Sequence, residues 1–246
     1  MFKSSNPMLA KMDNNIAEGM LSSAPMTVNG TITKAFALIL IAIVAGAAVF
    51  YEALMGYTDK VMLIMGISLI AGFVIGLVAS FAPKIAKFLA PVYAFCEGAV
   101  LTGISLFLEA KFPGIAVQAI CGTMLAFAVM LVLYRTGAIR ATEKFRATIM
   151  SALITILVLY LINFFGSFFN FQIPFVSGSG PMSIVFSGIV VLIASFSLIL
   201  DFDFIERGQA SMLPKDFEWY GAFGLMVTLV WLYIEILQLI AKLRDN

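Results

Sequence analysis

The sequence predicts an all-α membrane protein, a bundle of seven transmembrane helices. Hydrophobic residues make up 62% of the 246-residue chain and charged residues only 12%, and the mean hydropathy of +1.04 is far above what a water-facing surface tolerates. The apolar residues fall into seven runs, each long enough to cross a hydrocarbon core of roughly 30 Å, which takes about 20 residues of helix. Together the runs fill the chain and leave no room for a second domain. Lipid requires every backbone group to be bonded within its own helix, and loops this short force neighbouring helices to run antiparallel.

A segment of residues 1–33 comes first, with Asn, Ser, Lys and acidic residues and no apolar core of the signal-peptide kind, so it is expected to stay uncleaved and cytoplasmic. The membrane domain then occupies residues 34–246. Its first span, Ala35–Leu54, must serve as the insertion signal. The second, Val61–Phe81, carries Gly72, Gly76 and Ser80 at four-residue spacing, a row of small residues that lets another helix approach closely. The third, Pro91–Leu108, and the fourth, Ile115–Leu133, contain Cys96 and Cys121, both read as small packing residues with no redox role. The remaining spans are Thr148–Phe169, Met182–Leu200 and Trp219–Ile240. No internal repeat is visible, and an odd number of spans leaves one helix without a symmetry mate, which argues against an alternating-access transporter.

Orientation follows from the basic residues of the loops. Lys3, Lys11, Lys34, Lys84, Lys87, Arg135, Arg140, Lys144, Arg146, Arg207 and Lys215 fall on one side, and Lys60, Lys111, Lys242 and Arg244 on the other. This bias of eleven to four predicts a cytoplasmic N-terminus and an extracytoplasmic C-terminus.

A net charge of +1 gives no electrostatic footprint for nucleic acid. The absence of histidine removes the usual metal ligand, general base and pH switch together, so any pH response must come from carboxylates. Enzyme motifs are missing: there is no zinc-binding His pair, no serine–histidine couple, no phosphate-binding loop, and no cofactor is expected. Ionisable residues inside spans are the informative signal, because each costs several kcal/mol (about 2.5–3.5 on insertion scales) unless paired or hydrated. Glu97 lies early in the third span, Asp201 and Asp203 close the sixth, and Glu235 lies in the seventh. The two-residue spacing of Asp201 and Asp203 turns them to different faces, so one of them is expected to face the bundle.

Several of these segments resemble the Bax inhibitor family. The run Trp231-Leu232-Tyr233-Ile234-Glu235-Ile236-Leu237 is similar to its signature in the last span, and Ile199-Leu200-Asp201-Phe202-Asp203-Phe204-Ile205 to its aspartate-bearing end of the sixth. The stretches Asn6-Pro7-Met8-Leu9, Ala90-Pro91-Val92-Tyr93-Ala94-Phe95-Cys96-Glu97-Gly98 and Glu218-Trp219-Tyr220 resemble a bacterial branch. The resemblance implies a central last helix and a pH-sensitive calcium leak in the bacterial inner membrane, governed by two facing carboxylates. Carried over by position, these are Asp201 and Glu235, which would share a proton. Two departures are visible: the second carboxylate is Glu, and the family's basic latch is replaced by Lys84 or Lys87, which lack a guanidinium's fork.

The implied partners are the bilayer, protons and calcium or another hard cation, which prefers carboxylate and carbonyl oxygens. Depth works against the pair. Glu235 lies 16 residues beyond Trp219, about 24 Å along a helix, while Asp201 is expected near the cytoplasmic face. Glu218 is the alternative partner for Asp201. Two other functions fit the same residues: a proton-coupled transporter relaying through Glu97 and Glu235, and a non-conducting regulator of membrane proteins or stress responses.

Overall fold

The computed structural model describes residues 24–246. Lys3, Lys11 and Asn6–Leu9 lie outside the described residues. Seven long helices follow one another: α1 Val28–Leu54, α2 Thr58–Phe81, α3 Ala86–Lys111, α4 Ile115–Arg135, α5 Glu143–Ser167, α6 Pro181–Ala210 and α7 Phe217–Asp245. All seven are long and apolar enough to cross a membrane, and no strand is assigned among the described residues. A 3₁₀ turn, Pro83–Ile85, leads into α3, and one helical turn, Pro174–Ser177, precedes α6.

Every helix differs from its expected span at one end or both: six only extend beyond it, α4 as far as Arg135, while α5 starts earlier, at Glu143, but stops short of Phe169, at Ser167. The expected limits track apolar residues, whereas the helices run on past the hydrocarbon, and at 30 residues α6 is about 45 Å long. Helix α1 begins at Val28, inside the segment expected to be cytoplasmic, where Thr27 caps it by accepting from the Gly30 amide. Helix α3 begins at Ala86 and takes Pro91 into its second turn, so Glu97 sits near mid-helix, not early in the span. Helix α6 continues nine residues past Asp201, about 13 Å, so neither aspartate closes it.

The last helix is central. It packs against α1, α3, α4 and α6, and 50% of its most apolar stretch is buried, compared with 11% for α5, which leans chiefly on α6. Large apolar side chains such as Phe36, Leu40, Phe73 and Leu157 are exposed, forming the lipid-facing surface.

Small residues set the close crossings. The row in α2 receives α3: a Cβ on Gly72 would lie 3.3 Å from the Cys96 Cβ and one on Gly76 3.1 Å from the Tyr93 ring. The tightest approach is between α1 and α3, where a Cβ on Gly98 would fall 2.1 Å from the backbone oxygen of Ala42. Cys96 is packed at the α2 contact, whereas Cys121 is exposed on α4. Backbone at Ala42 cannot yield as a side chain would, so Gly98→Ala is expected to destabilise the protein by about 1–3 kcal/mol or more. Gly66→Ala, with nothing within 4 Å, is expected to be neutral. Thermal unfolding in detergent, followed for both variants, checks the contrast.

Candidate functional site

The polar residues of α7 recur every seven positions: Thr228, Glu235 and Lys242, with Gly221 one repeat earlier. Seven residues are close to two helical turns, so these four share one face. On α6, Ser187, Ala194, Asp201 and Gly208 repeat in the same way, running antiparallel. The Lys242 ammonium donates to Ser187 Oγ at 2.8 Å, and the Thr228 side chain stands beside the Asp201 carboxylate. That single register sets Ala194 opposite Glu235 and Gly208 opposite Gly221, where the Met26 side chain packs against both glycines. The α6–α7 contact is therefore a stack of layers, each holding either a polar pair or small residues that make room.

Glu235 is 1% exposed. Its Oε1 accepts from the Tyr160 hydroxyl of α5 at 2.8 Å and from the Trp231 indole, one turn earlier, at 2.9 Å, while Oε2 has no partner. Asp201 likewise keeps one buried oxygen, Oδ2, without a partner. Its other oxygen lies 3.9 Å from where a Cβ on Gly224 would stand, so its depth is that of the second and third turns of α7. Glu235 is seven residues beyond Thr228, about 10 Å further along the axis. The two carboxylates thus share a seam and occupy different layers of it, out of contact.

Asp203 turns away from α7. Arg146 of α5 reaches its Oδ2 at 2.7 Å and Arg207, one turn on, its Oδ1 at 3.0 Å. Glu218 is filled by other partners than Asp201: it pairs with Lys34 and accepts from the Thr27 amide at 3.0 Å and hydroxyl at 2.9 Å. Lys87 faces Asp216 at 3.3 Å and Lys84 is exposed on the 3₁₀ turn. Neither lysine contacts the seam's carboxylates. Glu97 is half-buried against Gly72 of α2, one turn beyond Tyr93, on a different interface from Glu235.

At the C-terminal face a cleft of about 380 Å³ opens between α5, the α5–α6 loop and α7, lined by Tyr160, Asn163, Ser177, Gln238 and Lys242 among others. Two of these, Tyr160 and Lys242, also belong to the surroundings of Glu235. Among the described residues no three Cys, Asp or Glu side chains gather into a metal site. The chemistry available is that of isolated carboxylates in a narrow seam, each with one buried oxygen that has no partner.

The profile of the Bax inhibitor 1 like family matches residues 6–245, nearly the entire chain. The protein belongs to this family. No curated protein and no solved structure shows significant similarity to it. Members of the Bax inhibitor 1-like family are non-enzymatic membrane proteins, in keeping with the missing catalytic motifs.

Sequence reasoning found both carboxylates of the Bax inhibitor 1-like seam but missed Thr228, Ser187, Tyr160 and Trp231, and it read Lys242 as part of a polar helix end. The seven-residue repeat was the available signal for Thr228 and Lys242. Nothing in the sequence distinguishes Tyr160 from other aromatic residues of apolar helices. Because Asp203 holds two arginines, Asp203→Asn is expected to cost about 1.5–3 kcal/mol in stability, the range for hydrogen bonds to charged groups. Chemical denaturation in detergent measures this, and Arg146→Gln should recover little further loss in the Asp203→Asn background.

Proposed function

We propose that this Bax inhibitor 1-like protein is a pH-sensitive leak pathway for calcium or another hard cation in the bacterial inner membrane, running along the α6–α7 seam. The observation that carries the reading is the pair of free carboxylate oxygens, Asp201 Oδ2 and Glu235 Oε2, set in successive polar layers of a central helix pair. A burial of this kind in lipid is costly, and its most economical use is to offer oxygen to a passing ion. Family membership supports the same reading, since the family includes pH-sensitive calcium leaks. Helix α5 is the candidate moving part. It is the least buried span, and its contacts with the seam are Arg146 to Asp203 at one end and Tyr160 to Glu235 at the other.

The expected pH dependence follows from charge. An ionised carboxylate attracts a cation and a neutral one does not, so protonation of Asp201 or Glu235 lowers occupancy and leak falls as pH falls. Asp201→Asn and Glu235→Gln hold each group in its neutral form. Each variant is expected to keep leak near the low-pH level and flatten its pH profile, with Asp203→Asn having less effect. Calcium flux into liposomes holding the purified protein, followed from pH 5 to 8, tests this; a steep profile surviving in both variants would sink the proposal.

Separation of the layers bears on coupling. Two charges about 10 Å apart interact by about 2 kcal/mol or less at an effective dielectric of 20, against about 4 kcal/mol at 4 Å. A double-mutant cycle on leak rate should give a coupling nearer the smaller figure; a larger one would mean that the carboxylates meet and share a proton during gating.

The basic-residue bias supports an N-terminus in the cytoplasm and the cleft at the outer face. Alkaline phosphatase fused after Asn246 is expected to be active, and an inactive fusion would reverse the direction of the pathway. The relay reading through Glu97 and Glu235 is disfavoured, because Glu97 faces α2.

A further inference from the structure

We infer that the Lys242 ammonium is a tethered cation seated in an outer cation site of the seam, made from the Val176 carbonyl, Ser187 Oγ and the Glu235 carboxylate. The lysine does not extend into water as a helix-end lysine ordinarily does. Its Nζ donates to the Val176 carbonyl at 2.9 Å and to Ser187 Oγ at 2.8 Å, and Glu235, one seven-residue repeat earlier on the same face of α7, is the next charged group along the seam, without forming an ion pair with it. Ser187 is 2% exposed and Glu235 1%. Carbonyl, hydroxyl and carboxylate oxygens are the donors that calcium-like ions select, and a cationic side chain such as an ammonium can stand in for such an ion.

Two further observations point to a site with capacity for more than the lysine. Glu235 Oε2 is buried without a partner, and so is Ser183 Oγ, one turn further out on the same face of α6. The cleft beside Lys242 gives the side chain somewhere to withdraw, and it gives an ion from the C-terminal face a route to the vacated oxygens. The site is therefore occupied by its own blocking charge until an external hard cation displaces it. This inference rests on the leak reading for its purpose but not for its chemistry, which is cation binding.

Terbium(III) is a suitable probe because it seeks the same oxygens and its emission is excited through a nearby indole. Trp231 bonds Glu235 directly, and the other tryptophan, Trp219, is 12 residues away, about 18 Å along the helix, and is replaced by Phe in the background. In that background Lys242→Met is expected to tighten terbium binding, read as sensitised emission, by about tenfold or more. Lys242→Gln keeps a donor for the Val176 carbonyl and Ser187, and should show the same gain, so the test survives a methionine variant that does not fold. Lys242→Arg keeps a tethered charge and should stay near the parent, and adding Glu235→Gln to either neutral variant should abolish the gain.

No gain on neutralising Lys242, or a gain that persists without the Glu235 carboxylate, overturns the inference. Calcium flux on the same liposomes separates the two readings. A terbium gain with no flux in any variant keeps the outer site and removes the leak, whereas flux with no terbium gain keeps the leak and removes the site.

Discussion

A polar group placed in hydrocarbon has to find its partner within the protein, and in this chain one antiparallel helix pair meets most of that demand. Because seven residues nearly complete two turns, side chains at that interval stay on one face, drifting by only about 20° per repeat. Helices α6 and α7 both use the interval, so their polar residues meet layer by layer: Asp201 with Thr228 and Ser187 with Lys242. Ala194 stands opposite Glu235, and the layer beyond Asp201 pairs Gly208 with Gly221, residues small enough to let the backbones close around the polar ones. Once this pair is fixed, α1, α3 and α4 wrap α7 chiefly with apolar and small side chains, with a Ser105–Tyr233 hydrogen bond of 2.7 Å between α3 and α7, and the large apolar residues are left for lipid.

The ends of the seam are secured by the parts of the chain outside the hydrocarbon. At the N-terminal face the segment before α1 lies against the α6–α7 loop, with Met26 N donating to the Leu213 carbonyl at 2.7 Å and Lys215 N to that of Ala24 at 3.0 Å. Glu218 then ties the first turn of α7 to Thr27 and Lys34. At the other face Arg244 reaches the Pro113 carbonyl at 2.8 Å and Lys111 pairs with Asp245 at 2.7 Å, anchoring α7 to the α3–α4 corner. Helix α5 has no comparable anchoring. It reaches α6 through Arg146 and Phe145 and the seam through Tyr160, and apart from the buried Ile149 and Ile156 it is largely exposed, which makes it the span with the least packing to lose on moving.

Seven spans were legible because hydrophobicity over about 20 residues is a direct consequence of the solvent that the helix faces. Helix ends were less so, since a helix stops where capping and loop geometry stop it. Thr27 extends α1 upstream of Lys34, and α6 carries Asp201 two turns deeper than a reading that ended the span at Leu200. The candidate carboxylates were found one at a time, as charges in apolar runs, and that procedure has no way of assigning partners. Lys242 shows the limit most plainly. In the sequence it stands beside Leu243, Arg244, Asp245 and Asn246 as an ordinary polar terminus, yet its spacing from Glu235 and Thr228 already put it on their face. Composition hid what periodicity contained.

The layered arrangement also bears on what sort of gate the seam can form. Two carboxylates in contact would be governed by a single shared proton and would offer an ion one site. On the proposed leak reading Asp201 and Glu235, about 10 Å apart, would instead offer two sites, each with one buried oxygen that has no partner. On the proposed pathway an ion would pass directly from the Asp201–Thr228 layer to the next, where Ala194 stands opposite Glu235 and offers neither a side-chain oxygen nor much obstruction. Passage through such a series requires each site to bind weakly enough to release, and neutral donors on one oxygen weaken a carboxylate's hold on a cation without removing its charge. On that reading control would fall to whatever closes the ends of the series. At the C-terminal face that would be Lys242, a positive charge on a flexible stem. At the N-terminal face it is the strap formed by Thr27, Lys34 and Glu218, where a lysine is again the cation already in place.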